Sequence, residues 1–322
     1  MPYTNSMATP RADVAALVMQ ANADFNKLFI AEDVFPVKGE DMKRGIYMKA
    51  TLANALLVES DSVRHGSGDS YNRINRKYDT DTFDAQEWGL EATIPDDYAE
   101  EVDRFMNLEK TEAMLLERAL RIAYEQRVAA LLFNSAYFNT TATSAAYTTA
   151  NIATMDPVSD VDYAKQRLMA KGITPNAVVM SLPVFNRIRR ATLMQNQVFG
   201  VVPRTANQRM LPSEQDIAEA FGVETLYVAK APVNANAEGN NVYSGSFIWS
   251  TAYVAVCQIG SGEYEAGGVG RTIQWTKDTT GLFTPETYRD DTRRSNVIRV
   301  RQHTAEKIID ETSCELLSTS YS

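Results

Sequence analysis

The chain has 322 residues, 44% of them hydrophobic and 23% charged, with a formal net charge of −9. That length allows one large domain or two modest ones with a substantial core. No apolar run approaches the ~18–20 residues that span a membrane, Met1–Val14 lacks the cationic-then-apolar pattern of a secretory signal, and the acidic balance argues against a surface that grips nucleic acid throughout.

Asp13–Ile30 carries apolar residues at Val14, Leu17, Val18, Phe25, Leu28 and Phe29 and reads as a helix. Ile30–Val37 follows, with Pro36 among alternating apolar residues, and predicts an extended end to an N-terminal arm. Lys38–Trp88 is polar and poor in long apolar runs, and predicts a two-stranded excursion turning near Gly66–Gly68. Such a segment has too few apolar residues for a core of its own, so it needs a neighbour.

Asp84–Glu112 is strongly acidic, either a solvated face or one side of a charged contact. Leu108–Phe133 contains no Gly or Pro and predicts the longest helix, about 40 Å at 1.5 Å per residue. Asn107 is its candidate N-cap, and Glu109 and Glu112 suit the positive end of its dipole. On a helical wheel Leu108, Leu115, Ala119, Ile122, Ala123, Ala130 and Phe133 share one face, opposite Lys110, Glu117, Arg118, Arg121 and Glu125. Burial is therefore expected through Leu115, Ala119 and Ile122, and again over the apolar end Ala129–Phe133.

Thr140–Ala150 reads as a connector between domains. Beyond it, helices are expected at Asp160–Lys171, stopped by Gly172, at Pro183–Ala191 and at Ser213–Phe221, with Ser213 as cap and Gly222 after the end. Strands are expected at Ala177–Met180, Leu226–Ala229 and Ala252–Ile259, and Ser295–His303 alternates like a half-exposed strand. Helices alternating with short strands give an α/β or α+β second domain. No acidic residue lies between Asp162 and Glu214, where Lys165, Arg167, Lys171, Arg187, Arg189, Arg190, Arg204 and Arg209 are basic. Segregation of this block from Asp84–Glu112 suits subunits meeting head to side, or a face turned toward a packaged polyanion.

Catalytic and metal-binding patterns are missing. His65 and His303 are the two histidines, and no HxxxH or CxxC spacing exists. Asp79–Asp84 resembles a calcium loop only until Phe83, where an oxygen ligand is needed. Gly260-Ser261-Gly262 lacks the third glycine of a dinucleotide loop, and Gly267-Gly268-Val269-Gly270 is followed by no Lys-Ser or Lys-Thr pair, so both read as turns. No GxSxG elbow is present. Cys257 and Cys314 are the two cysteines, which indicates no disulfide framework and assembly in a reducing cytoplasm, and Cys257 in an apolar run reads as a buried, inert thiol. No enzyme, cofactor or metal site is expected.

Three phrases then resemble one known family. They are Ile30–Val37 (IAEDVFPV), Pro175–Phe185 (PNAVVMSLPVF), and Tyr288–Ser295 (YRDDTRRS) followed by Asn296–Arg301 (NVIRVR). In this order, with a polar hairpin and a long helix between them, they resemble the major capsid proteins of tailed bacteriophages, the Hong Kong 97-type fold. The resemblance implies an α+β subunit with an N-terminal arm (1–37), an extended β-hairpin loop (38–88), and a peripheral domain with a long spine helix (89–150). An α/β axial domain (151–288) and C-terminal strands returning to the peripheral domain (289–322) complete it. It implies pentamers and hexamers tiling an icosahedral shell in the virion, assembled in the bacterial host cytoplasm around double-stranded DNA that is enclosed without sequence-specific binding. Scaffolding, portal and decoration proteins are the expected partners, with no membrane.

Candidate inter-subunit residues are Arg64, Arg73, Arg76 and Lys77 in the loop, Glu100 and Glu101 in the acidic segment, and Arg189 and Arg190 in the basic one. Lys49 and Lys77 carry no motif for the covalent cross-link of some relatives, and the short arm is not expected to include a scaffolding segment. The competing readings are an encapsulin-like nanocompartment shell and a soluble α/β enzyme.

Overall fold

The structure is a computed structural model and describes residues 9–10, 25–49, 79–97, 108–200, 211–234, 236, 244–261, 267–279 and 281–321. Among them it has fifteen strands and six helices, an α+β fold. The strands are β1 Thr9–Pro10, β2 Val37–Glu40, β3 Arg44–Lys49, β4 Asp79–Asp84, β5 Gln86–Pro95, β6 Asn139–Ala142, β7 Ala177–Ser181 and β8 Thr225–Ala229. They continue as β9 Pro232–Asn234, β10 Gly245–Phe247, β11 Tyr253–Cys257, β12 Gly270–Trp275, β13 Thr284–Asp290, β14 Ser295–Ile308 and β15 Cys314–Ser318. The helices are α1 Ala31–Val34, α2 Leu108–Leu132, α3 Pro157–Ala170, α4 Leu182–Ile188, α5 Thr192–Phe199 and α6 Glu214–Phe221.

Two sheets carry the fold. One has the order β6-β15-β11-β7-β8, and the other β1-β13-β14-β12-β2 with β5 also on β14. The helices α3 to α6 cover one face of the five-stranded sheet through Val161, Leu168, Ile188, Met194, Ile217 and Phe221. Its other face shares a core with α2, α1 and the six-stranded sheet, in which Leu120, Tyr124, Val128 and Leu132 meet Phe35, Val179, Trp249, Val300 and Leu316. Gly270 belongs to this packing, because a Cβ there would run into the Phe35 ring. Local chemistry matches the helix ends. Asp156 caps α3 before Pro157, Ser213 and Asp216 form a capping box on α6, and Gly222 closes α6 in the left-handed region at φ 58°.

Several elements depart from the sequence reading. Ala31–Val34 is a short helix rather than extended chain, because Glu125 accepts its first amides. Within Thr140–Ala150, the residues Thr140–Ala142 are not connector: β6 pairs in parallel with β15. That places the last strand in the five-stranded sheet, while β12 and β13 cross into the six-stranded one. β14 is longer than expected and mostly buried, since β13, β12 and β5 all pair with it.

The spine helix spans Leu108–Leu132 as expected, but it is rotated relative to the wheel reading. Ala113, Glu117, Leu120, Tyr124 and Val128 are buried, whereas Leu115 is 48% exposed and Ala119 and Ala130 are exposed. The supposed polar face turns inward because its charges find partners there. Glu125 takes the Ile30 amide (3.1 Å), the Ala31 amide (2.9 Å) and the Trp249 indole N–H (2.6 Å). Burial pushes its carboxyl pKa up, and these three donors pull against that shift. Arg121 bridges Glu32 and Glu117 and lies over the Phe283 ring, and Arg127 pairs with Glu306 at 3.1 Å.

The faces of β14 alternate. Ile298, Val300 and Ile308 face the spine helix, and on the other side Arg299 and Arg301 grip Glu286 at 2.5 and 2.6 Å. Arg301 also reaches Asp278, which accepts from His303 Nε2 at 2.7 Å, and the His303 ring stands edge-on to Trp275. His303 is thus a buried framework residue. Burial works against the Glu286 and Asp278 carboxylates, but the arginine hydrogen bonds hold both below the usual carboxylate range.

Three outcomes follow for the isolated subunit. Leu120→Asp puts a charge in the core and costs several kcal/mol, roughly 4, whereas Leu115→Asp changes the thermal midpoint little. Glu125→Ala strands three buried donors and lowers stability by roughly 3–5 kcal/mol in denaturant titrations. Because the folded-state pKa of Glu286 is depressed, its stabilising contribution is present above the ordinary glutamate range and is lost as pH falls through the folded value. Glu286→Gln therefore flattens the acid limb of a stability–pH curve, while the raised Glu125 acts in the opposite sense.

Candidate assembly surface

The excursion expected at Lys38–Trp88 is a ribbon at its base. β3 and β4 run antiparallel with Arg44 opposite Asp84 and Lys49 opposite Asp79, and their connection lies outside the described residues. Period-2 alternation gives the ribbon two unlike faces. Inward, Tyr47 and Phe83 pack on Ile273, Ala305 and Ile309, and the Tyr47 hydroxyl donates to the Ile308 carbonyl at 3.2 Å. Gly45 makes room for the Phe83 ring. Outward, Ile46 is 71% and Met48 53% exposed, with Met42 at 66% just before the strand. The Arg44–Asp84 ion pair, 2.9 Å, closes the same face at its base.

A second open apolar surface lies on the spine helix. Leu115, Ala119, Ile122 and Ala130 form one stripe along it, exposed except for a half-buried Ile122. The edge strand β5 adds Trp88 and Leu90, both partly exposed, with the Arg127 guanidinium over the Trp88 ring at 4.2 Å. Apolar side chains of this kind are left uncovered in the single chain.

A third surface sits where α4 turns into α5. An open pocket of about 320 Å³ is walled by Leu182, Pro183, Phe247 and Tyr321, with Arg187 and Arg190 on it. Arg187 donates to Thr149 and lies over the Tyr321 ring at 5.2 Å. Arg190 is exposed at the rim, whereas Arg189 is folded back over Phe185 at 5.7 Å. Of the two candidate arginines only Arg190 presents itself outward. Arg64, Arg73, Arg76, Lys77, Glu100 and Glu101, with His65, Asn107, Arg204 and Arg209, lie outside the described residues.

Much of the charge expected to face a partner is engaged within the chain. In the acidic block, Glu91 accepts from the Tyr288 hydroxyl at 3.0 Å, and Arg289 grips both oxygens of Asp96 at 2.6 Å, which holds that carboxyl below its usual range. In the basic block, Arg167 and Lys171 hold the buried Glu315 at 2.7 and 3.6 Å, and Lys165 binds Asp162 and the Phe221 carbonyl. Among the described residues no group of His, Cys, Asp and Glu could hold a metal ion, and no helix is long and apolar enough to cross a membrane.

Ile46, Met48, Leu115 and Phe247 were missed as surface residues by sequence reasoning. The apolar run Ile46-Tyr47-Met48 within a polar loop was a usable signal for a strand, but not for which of its faces turns outward. Leu115 carried none, because its stripe looks like a core face until the opposite face is seen to be occupied.

No protein-family model and no curated protein matches the sequence. Solved structures do. A phage-related protein from Bordetella bronchiseptica superposes with a TM-score of 0.68 at 16% identity, covering 97% of this chain and 98% of the other. The capsid of the cyanophage P-SCSP1u gives a TM-score of 0.57 at 13% identity, over 91% and 88% of the two chains. A virus-like particle from Pyrococcus furiosus gives 0.52 at 10% identity, over 96% and 97%. The long spine helix across two sheets, the β3–β4 ribbon and this near-complete overlap establish that the chain has the fold of tailed-bacteriophage major capsid proteins.

Proposed function

We propose that the chain is a major capsid protein that assembles with copies of itself into a closed shell, with the ribbon of one copy lying over the spine-helix stripe of the next. The observation that carries this reading is a pair of uncovered apolar faces on a capsid fold. One is the outward side of β3, and the other is Leu115, Ala119 and Ile122 on α2. Each is too small for a core, and together they bury apolar area in a heterologous contact that closes into rings. Pentamers and hexamers on an icosahedral lattice around double-stranded DNA are the assembly proposed, with scaffolding, portal and decoration proteins as partners in a virion made in the host cytoplasm. Arg190 at the rim of its pocket is the residue best placed for a charged contact between copies.

The fold likeness favours this reading over a soluble α/β enzyme. The likeness to the Pyrococcus furiosus particle supports an encapsulin-like shell as the second reading. Nucleic-acid content of particles purified from infected or induced cells separates the two, since a phage shell holds genomic DNA and a nanocompartment holds protein cargo.

Ile46→Asp combined with Met48→Asp is expected to abolish particles in negative-stain electron microscopy while the subunit keeps its circular dichroism and melts near the wild-type temperature. Leu115→Asp is expected to do the same. Particles of normal size and yield from both variants would overturn the proposed contact, and a small closed oligomer from the wild type would overturn the shell.

A further inference from the structure

The two cysteines, distant in sequence, meet in the five-stranded sheet. Cys257 is the last residue of β11 and Cys314 the first of β15, directly opposite each other in antiparallel register. The Gln258 amide donates to the Ser313 carbonyl at 3.0 Å, which makes the next opposed pair a hydrogen-bonded one. Pairs alternate along an antiparallel ladder, so Cys257 and Cys314 occupy a non-hydrogen-bonded position, where Cα atoms lie about 4.5 Å apart and side chains are closest. That spacing is within the roughly 4.4–6.8 Å that a disulfide accepts. Both side chains lie in the core shared with the spine helix, with Ala255 and Leu316 beside them. Burial pushes the Cys314 thiol up, and a hydrogen bond with the Cys257 thiol adds to that shift, as expected for thiols in contact.

We infer that Cys257 and Cys314 are an intrachain disulfide site, reduced in a reducing cytoplasm and closed by exchange with a small disulfide in an oxidising medium. This inference goes beyond the shell reading and does not depend on it. Both thiols are free and buried in this structure. They are the last pair of β11 and β15, one step inside the Gln258–Ser313 hydrogen bond and close to the turn at Glu311 and Thr312, so reaction requires that end of the ladder to open locally. One thiolate attacks the small disulfide, forming a mixed disulfide and releasing one thiol. The second thiolate then attacks the protein sulfur of the mixed disulfide, forming the Cys257–Cys314 bond and releasing the second thiol. The two cysteines lose two protons and two electrons, which the small disulfide takes up as two thiols. The bond closes a loop that contains the whole of β12, β13 and β14. It therefore staples the five-stranded sheet at the point where the chain leaves for the other sheet and returns, and it removes conformations from the unfolded chain.

The test incubates full-length protein with excess oxidised glutathione, then quenches in acid, unfolds, alkylates and maps peptides by mass spectrometry. Hydrogen exchange at the Gln258 amide, measured in the same buffer, reports when the ladder end opens. The expected result is loss of both alkylatable thiols, an intrachain Cys257–Cys314 peptide reversed by dithiothreitol, and a higher melting midpoint for the oxidised form. Cys257→Ser is expected to yield only a glutathione adduct at Cys314. Two thiols that still alkylate after Gln258 has exchanged would overturn the assignment, and so would a link found only between chains.

Discussion

Glu125 is buried, and all that it accepts comes from elsewhere in the fold: two amides that begin α1 and the indole of Trp249. The amides lie 95 and 94 residues away and the indole 124, so one carboxylate joins the start of α1, the spine helix and the segment just before β11. A charge held this way costs desolvation energy, and it is tolerated because every donor around it would otherwise be unsatisfied. The contact lies on the flank of the helix, next to the side on which Leu120, Tyr124 and Val128 face the shared core, while Leu115 faces out. Packing of that side, together with the Glu125 anchor, leaves the stripe on which assembly is proposed uncovered.

This is also where the sequence was hardest to read. The spine helix was legible from its length and its lack of breakers, and the cap at Ser213 and the stop at Gly172 were legible from local chemistry. Its inward face was not. A wheel sorts residues by polarity, and here Arg121 and Glu125 turn inward on partners remote in sequence, Glu32 and Trp249, and Arg121 also pairs with the buried Glu117. The same limit hid β6, whose Thr-rich strand makes sense only beside β15, and the meeting of Cys257 with Cys314. At the candidate surface, the ribbon was legible as a segment without a core. Its outer face was not, because Ile46-Tyr47-Met48 is apolar on both sides of the strand and only packing selects Tyr47 as the buried one, and the inward turn of Arg189 was hidden in the same way.

The charge pattern has a related lesson. Segregated blocks in the sequence suggested two free faces, yet Asp96, Glu91, Arg167 and Lys171 find partners within the subunit. The charged network on β14 is similar, with Arg299 bound to Glu286 and Arg301 divided between Glu286 and Asp278. Polar side chains thus reinforce the apolar cores from within, while a few apolar ones, Ile46, Met48 and Leu115 among them, are left outside. That combination suits the assembly proposed above.

The position of β15 has a consequence for how the polypeptide is made. It lies between β6 and β11, so both of those strands keep a bare hydrogen-bonding edge until residue 318 has left the ribosome. Its pairing with β6 spans 176 residues, from Asn139 to Glu315. Closing so long a loop is slow, and an unpaired edge is a template for the wrong strand during the wait. Docking of β15 is then the step that covers both bare edges and completes the five-stranded sheet.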